Sequence, residues 1–465
     1  MSAETLTADV AVIGGGVAGM TAAARASAGG KKVIVLEAKE EELYICSSRL
    51  TGGVFHAALT DIQTDPDQIE RIIVDACAPS NSKLARVIAE DTIRAVRFLQ
   101  SQGVRFLRGS PDPWHAFVVA PPSLGLMGDG WKGRGGDVLL RTLEDRLKER
   151  GSMVRRGSRA RRLIIEDGAV AGVEGEGFVV RAPAVVIADG GFQSNPDMIR
   201  GPITPEPDKV IQRNGVSGFG DGLLMALEAG AAQTADMTGF YGHIVSRDAL
   251  QREEIKLYPW LDELARVALV VTPDGRRFCD EGLGGTYIAN KMAALPDPAS
   301  TTVVWDEAAW EGPGRNRFLS PNPTLDKVGA TVHRANSLEE LARMAGLDVA
   351  GFLETVEHYN AACDSGDFSG LSPARTTAKF KPLPIRRAPF AAAPAASGIT
   401  HTFGGIEVDE HARALRPDGT PIPGLYAVGA SCGGVDGGPK IGYVGGMSKG
   451  GATGLRAAEH ITGGA

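Results

Sequence analysis

The chain reads as an α/β protein in which a Rossmann-like dinucleotide-binding domain is interrupted by an inserted α+β domain. Three observations predict this. A short apolar strand runs into a glycine turn and an alanine-rich helix near the N-terminus; the texture of the chain changes at about Asp236; and short strands with glycine turns return after Phe390.

Residues 9–13 form a buried strand, 14–16 a turn, 19–27 a helix, and 32–36 a second strand ending at Glu37, which together make one βαβ unit. Helical periodicity resumes at 69–75, 84–100 and 138–149, and 184–188 is a further apolar strand leading into Asp189-Gly190-Gly191. Residues 237–390 carry most of the tryptophan, several prolines and their own strand and helix signals, so they are expected to form the inserted domain. Residues 391–465 close with a helix at 451–461 and are expected to rejoin 1–236.

A chain of 465 residues exceeds what one hydrophobic core organises. Apolar residues at 43% and charged ones at 23% are ordinary globular values, whereas 61 glycines imply many tight turns or close ligand approaches. The net charge of -7 argues against nucleic acid as a partner, because affinity for phosphate backbones comes from concentrated Lys and Arg. Cys46, Cys77, Cys279, Cys363 and Cys432 show no CxxC spacing, so no disulfide framework, haem attachment, iron–sulfur set or metal site is expected. No apolar run reaches the ~20 residues of a membrane helix, and Glu4 and Asp9 stand where a leader would be cationic. A soluble cytoplasmic protein is the expectation.

Gly14-Gly15-Gly16-Val17-Ala18-Gly19 follows a strand and opens a helix, the context in which GxGxxG binds a dinucleotide. Gly14 makes the tight turn, Gly16 lets backbone approach the pyrophosphate, and Gly19 permits close helix packing, while Val17 and Ala18 lead into the helix, whose N-terminus attracts anions. Glu37, 23 residues after Gly14, is placed with Ala38 to meet a ribose hydroxyl. Residues 128–133, GDGWKG, satisfy the same pattern but follow no strand, so they are read as a loop. The first loop suits NAD or FAD; its N-terminal position, without a second fingerprint, favours FAD.

The ordered set GGGVAG, Thr51-Gly52-Gly53, ADGGF at 188–192, GDG at 220–222, GRRFCDEG at 275–282, HTFGG at 401–405 and IPGLYAVG at 422–429 resembles the flavoproteins of the succinate dehydrogenase and fumarate reductase family. Tricarballylate dehydrogenase and the 3-ketosteroid Δ1-dehydrogenases are relatives within it. The resemblance implies a glutathione-reductase-like FAD domain under a capping domain, with Thr51, Gly52, Gly53, Asp189, Gly190, Gly429, Ala430 and Gly445 among the non-covalent FAD contacts. Cys46 is the alternative, covalent, attachment point. The implied chemistry is hydride transfer between flavin and one carbon, paired with proton transfer at its neighbour beside a carbonyl or carboxyl group, with electrons passing to an external acceptor.

His243 and His401 fall on the two family histidines, but the family's two arginines are replaced by Tyr287 and Tyr443. A guanidinium supplies charge and a fork, a phenol one neutral donor. The resemblance to ketosteroid dehydrogenases implies Tyr287 as base and Tyr443 as carbonyl donor. The alternatives are a soluble fumarate-reductase-like enzyme for a small unsaturated acid, with Lys440 in the carboxylate clamp, and a flavin-binding protein whose catalysis has decayed. Arg276, Arg277, Asp280 and Glu281 are read as a salt-bridged turn.

Overall fold

A computed structural model describes residues 3–123, 128–315 and 320–463. The central sheet has the order Arg413–Leu415, Pro421–Ala427, Ala184–Ile187, Val10–Ile13, Val33–Leu36, Met153–Arg155, and every pairing except the first is parallel. The inner strands read VAVI, VIVL and AVVI and are buried throughout, as a parallel sheet covered on both faces requires. Helix Val17–Ala28 covers one face, and the closing helix Gly446–Thr462 lies against it. Their contact is built from small residues: a Cβ at Gly454 would stand 2.5 Å from the Ala18 carbonyl oxygen. This is why the glycine- and alanine-rich C-terminus rejoins the first βαβ unit.

The second large sheet centres on one long strand, Phe390–Thr402. It pairs antiparallel with Phe240–Ser246, Thr302–Trp305 and His333–Ala335, and parallel with Ile211–Gln212. Its alanines are buried, and their small side chains admit neighbours on both faces. The junction expected at 390 and 391 falls at the first step of this strand, which runs from beside Thr302–Trp305 back toward the central sheet.

Two smaller sheets were not foreseen. Glu4–Thr7, Phe178–Arg181, Ala169–Gly175 and Ala160–Glu166 form one, and Val54–Phe55, Phe117–Val119 and Phe106–Leu107 the other. Residues 128–131 form a single 3-10 turn ahead of helix Gly135–Glu149, consistent with the loop reading of GDGWKG. Among the described residues no helix is long and apolar enough to cross a membrane.

One buried ion pair fixes the short helix Ser47–Leu50 beside the first strand ends. Arg49 bonds Asp137 on helix Gly135–Glu149, both almost fully buried, and its guanidinium lies 4.7 Å from the centre of the Tyr44 ring. Asp137→Ala leaves that guanidinium buried without its counter-ion. It should lower unfolding free energy by about 3–5 kcal/mol. Lys83→Ala, at an exposed pair with Glu410, should change it by no more than about 0.5 kcal/mol, both read by chemical denaturation.

Candidate active site

Strand ends of the central sheet converge on one cavity of about 1300 Å³. Val10–Ile13 ends at Gly14, Val33–Leu36 at Glu37, Ala184–Ile187 just before Asp189, and Pro421–Ala427 just before Gly429. This is the carboxyl edge of a parallel sheet, where open α/β folds bind ligands. Gly14, Gly16, Val17, Ala18, Glu37, Ala38, Thr51, Gly52, Asp189, Gly190, Gly429 and Ala430 all line the cavity. Gly14 has φ +104°, and a Cβ there would stand 2.5 Å from the Ala188 carbonyl oxygen, so the turn admits only glycine.

Gly19, Gly53 and Gly445 stand behind the wall instead. Gly19 packs under the Gly14 carbonyl, Gly53 against Val119, and Gly445 against the backbone of His56. Glu37 accepts hydrogen bonds from the Gly15 amide at 3.1 Å and the Lys39 amide at 3.0 Å, while burial pushes its pKa up against their effect. The Asp189 carboxylate ties its turn to the Gly222 amide at 2.7 Å and the Ser431 hydroxyl at 3.0 Å; burial raises its pKa to about 6. Ser48 was not foreseen: its hydroxyl accepts from the Val17 amide at 2.9 Å, at the start of the glycine-loop helix.

This geometry fits FAD. The loop glycines leave backbone uncovered, the helix Val17–Ala28 points its N-terminus into the space, and the cavity exceeds the roughly 300–1,000 Å³ of an ordinary small-molecule pocket. Cys46 lies on the wall, but its thiol is buried, and that burial pushes its pKa up to about 11.

At the cavity's other end, backbone register assembles an acid–base cluster. Tyr241 lies opposite His401, and His243 opposite Gly398, in the pairing of Phe240–Ser246 with Phe390–Thr402. Tyr443 stacks on Tyr241 with ring centres 3.8 Å apart and planes at 14°. His401 lies 5.4 Å from the Tyr241 ring centre and 5.7 Å from that of Tyr443. The loop carrying Tyr443 is pinned by Asp436, which accepts from the Val444 amide at 2.7 Å and pairs with buried Lys449 at 3.0 Å.

The protonation states follow from the partners. Burial drives the His243 pKa down to about 4, against the opposing charge of Asp262, so the ring is neutral. Its Nδ1 lies 3.1 Å from an Asp262 carboxylate oxygen, which only accepts, so the proton sits on Nδ1. Nε2, 2.9 Å from the Tyr241 hydroxyl, therefore accepts the phenolic hydrogen. The other Asp262 oxygen accepts from the Ile244 amide at 3.1 Å, and Trp260 stacks on the imidazole. Burial also lowers the His401 pKa to about 4, and among the described residues its ring makes no hydrogen bond. The Tyr443 oxygen accepts from the Gly446 amide at 2.6 Å, leaving its O–H for another acceptor.

Tyr287 lies in the first turn of helix Gly285–Ala293 and lines the cavity, with the Lys291 ammonium 5.2 Å from its ring centre. Burial raises its pKa, and among the described residues its phenol makes no hydrogen bond. Lys440 stands at the cavity wall, bonded to the Asp75 carbonyl at 3.1 Å and to its carboxylate at 3.3 Å. Arg277 grips Glu281 in a buried pair within the turn, whereas Arg276 reaches out of it to Glu354 at the surface and Asp280 accepts from the Gly282 and Thr376 amides. Sequence reasoning missed Tyr241, Asp262 and Arg213. Strand alternation around His243 places Tyr241 on its face and was available; Asp262 carried no signal.

Residues 9–442 match the family described as FAD binding domain. A probable fumarate reductase of Shewanella frigidimarina is 28% identical over 454 residues, covering 94% of this chain and 72% of that protein. The 4-oxocyclohex-2-ene-1-carboxylate 5-dehydrogenase of Sinomonas cyclohexanicum is 31% identical over 303 residues, 59% of this chain and 50% of that one. The solved open conformation of a flavocytochrome c3 fumarate reductase is 26% identical with a TM-score of 0.71, covering 98% of this chain and 78% of that one. The chain therefore belongs to the FAD-dependent succinate dehydrogenase and fumarate reductase flavoprotein family, and is an FAD-dependent oxidoreductase acting on CH–CH groups.

Proposed function

We propose that the enzyme moves two hydrogens across a C–C bond beside a ketone, with Tyr443 holding the carbonyl oxygen and Tyr241 passing the proton to His243, which Asp262 supports. The observation that carries this reading is the hydrogen-bonded chain from carboxylate to imidazole to phenol along the cavity wall. Bound FAD supplies the hydride acceptor or donor.

In the dehydrogenating direction, the proton beside the carbonyl passes to the Tyr241 oxygen while the phenolic hydrogen moves to His243 Nε2. The imidazolium so formed is stabilised by Asp262, the logic of a serine–histidine–aspartate relay. Burial raises the Tyr241 pKa well above its ordinary value, so the phenol serves as a base only through this relay. As charge develops on the carbonyl oxygen, the free O–H of Tyr443 meets it, with His401 as a second group at hand. Tyr287 faces the same space, and among the described residues no acceptor meets its proton. We therefore assign to Tyr241 the role that the resemblance gave Tyr287. FAD is held without a covalent bond, and an external acceptor takes the electrons.

Anaerobic mixing of the oxidised enzyme with cyclohexanone, 4-oxocyclohexanecarboxylate, succinate and tricarballylate tests the function. Loss of visible flavin absorbance with a ketone is expected, and persistence of the yellow colour with every compound would sink the reading. Tyr241→Phe should lower kcat by about 10²–10⁴-fold with flavin content intact, and Tyr287→Phe by far less; the reverse ranking would restore Tyr287 as base. Because burial holds His243 near pKa 4 rather than its usual 6.5, kcat/KM for dehydrogenation should stay flat through pH 6.5 and fall only as pH drops through about 4. Acid precipitation should leave all flavin in the supernatant; colour retained in the pellet would show a covalent link.

A further inference from the structure

Arg213 follows the short strand Ile211–Gln212 and lines the same cavity beside Tyr241, His243, Trp260 and Thr400. It is only 5% exposed, yet among the described residues it makes no ion pair. Its bonds all go to neutral oxygens: Nε to the Lys256 carbonyl at 3.0 Å, one terminal nitrogen to the Thr400 hydroxyl at 3.0 Å, the other to the Leu257 carbonyl at 2.7 Å. A guanidinium has five N–H groups, so each terminal nitrogen keeps one hydrogen beyond these bonds. Asp262 acts on Arg213 through space, but its oxygens already serve His243 and the Ile244 amide.

A buried cation without a counter-ion is costly, and a fold retains one where an anion arrives to meet it. We infer that Arg213 anchors a carboxylate of the substrate, so that the substrate is a keto acid whose carboxylate lies apart from the reacting bond. This rests on the preceding reading for the ketone end, held by Tyr443 and His401. The ring contacts join the two ends: the Arg213 guanidinium carbon lies 5.0 Å from the Trp260 ring centre, Trp260 stacks on His243, and Tyr241 stacks on Tyr443. The cation that the resemblance expects and does not find at Tyr287 or Tyr443 is thus supplied from a different strand. The FAD pyrophosphate is not its anion, because the Gly14 to Gly19 loop and its helix N-terminus serve that group at the strand ends of the central sheet.

The test uses oxidised, FAD-loaded enzyme and a ketone-free pair of probes, cyclohexanecarboxylate and cyclohexanecarboxamide, titrated by calorimetry and by perturbation of the flavin spectrum. The wild type should prefer the acid to the amide. Arg213→Gln should weaken the acid roughly 10- to 100-fold, the range of hydrogen bonds to charged groups, and leave the amide within about 2-fold. Arg213→Lys, which keeps the charge without the fork, should fall between them, and flavin content should be unchanged in all three. Equal weakening of acid and amide would mark Arg213 as a structural tie and overturn the proposal, as would loss of FAD from Arg213→Gln or equal affinity of the wild type for both probes. Because neither probe can be oxidised at a ketone, a failed flavin-bleaching panel with acid preference intact strikes the redox reading alone.

Discussion

Backbone pairing along Phe390–Thr402 holds the two ends of the site in one geometry. The strand begins in the sheet of the inserted segment and ends at His401 and Thr402, whose hydroxyl accepts from the Phe192 amide beside the nucleotide turn. Its antiparallel register with Phe240–Ser246 sets Tyr241 against His401 and His243 near the strand's middle. A slip of one residue would turn every one of these side chains to the opposite face. The alanines that make this strand unremarkable in composition are what let neighbouring strands and helices close on it without displacing the register.

Within that frame, burial sets the chemistry. His243 and His401 are both held neutral, so the cluster presents two neutral imidazoles rather than two cations. If Tyr287 and Tyr443 take the places of the family's arginines, as the resemblance implies, our proposed reaction has no fixed positive charge where the acyl oxygen is polarised. In the reaction we propose, polarisation falls to the neutral O–H of Tyr443, whose oxygen accepts from the Gly446 amide. Such a donor gains most when charge develops in a water-poor site, which favours stabilising an enolate over binding a ready-made dianion.

Much of the nucleotide half was legible because its constraints are local. Gly14 and Gly19 answer to backbone approach, Glu37 to a strand end, and the closing helix to its small residues, and each leaves a mark within a few positions in sequence. Of the aromatic and histidine cluster at the cavity's other end, sequence motifs pointed to His243, His401 and Tyr443, which the structure brings together. Asp262 and Arg213 reach the cluster through strand pairing and a bend of the inserted segment, and nothing in their neighbours announces it. The hairpin of Ala160–Glu166 and Ala169–Gly175 was readable from its Asp167-Gly168 turn, where both residues have positive φ, yet its alternation is too weak to register as a strand pair.

The distribution of charge explains why the site tolerates so much burial. Lys449 and Asp436 neutralise each other beneath Tyr443, and Asp436 also bonds the Val444 amide, so that pair acts as a fixed peg for the loop and carries no net field. Asp262 is different, because its carboxylate faces a neutral imidazole, which in the proposed reaction becomes charged only during proton transfer. Arg213 is different again, since its neutral partners hold the guanidinium in place without cancelling its charge. On the proposed reading one buried charge is cancelled at all times, one during turnover, and one when a ligand arrives, which gives the last two a reason to border the cavity without a standing counter-ion.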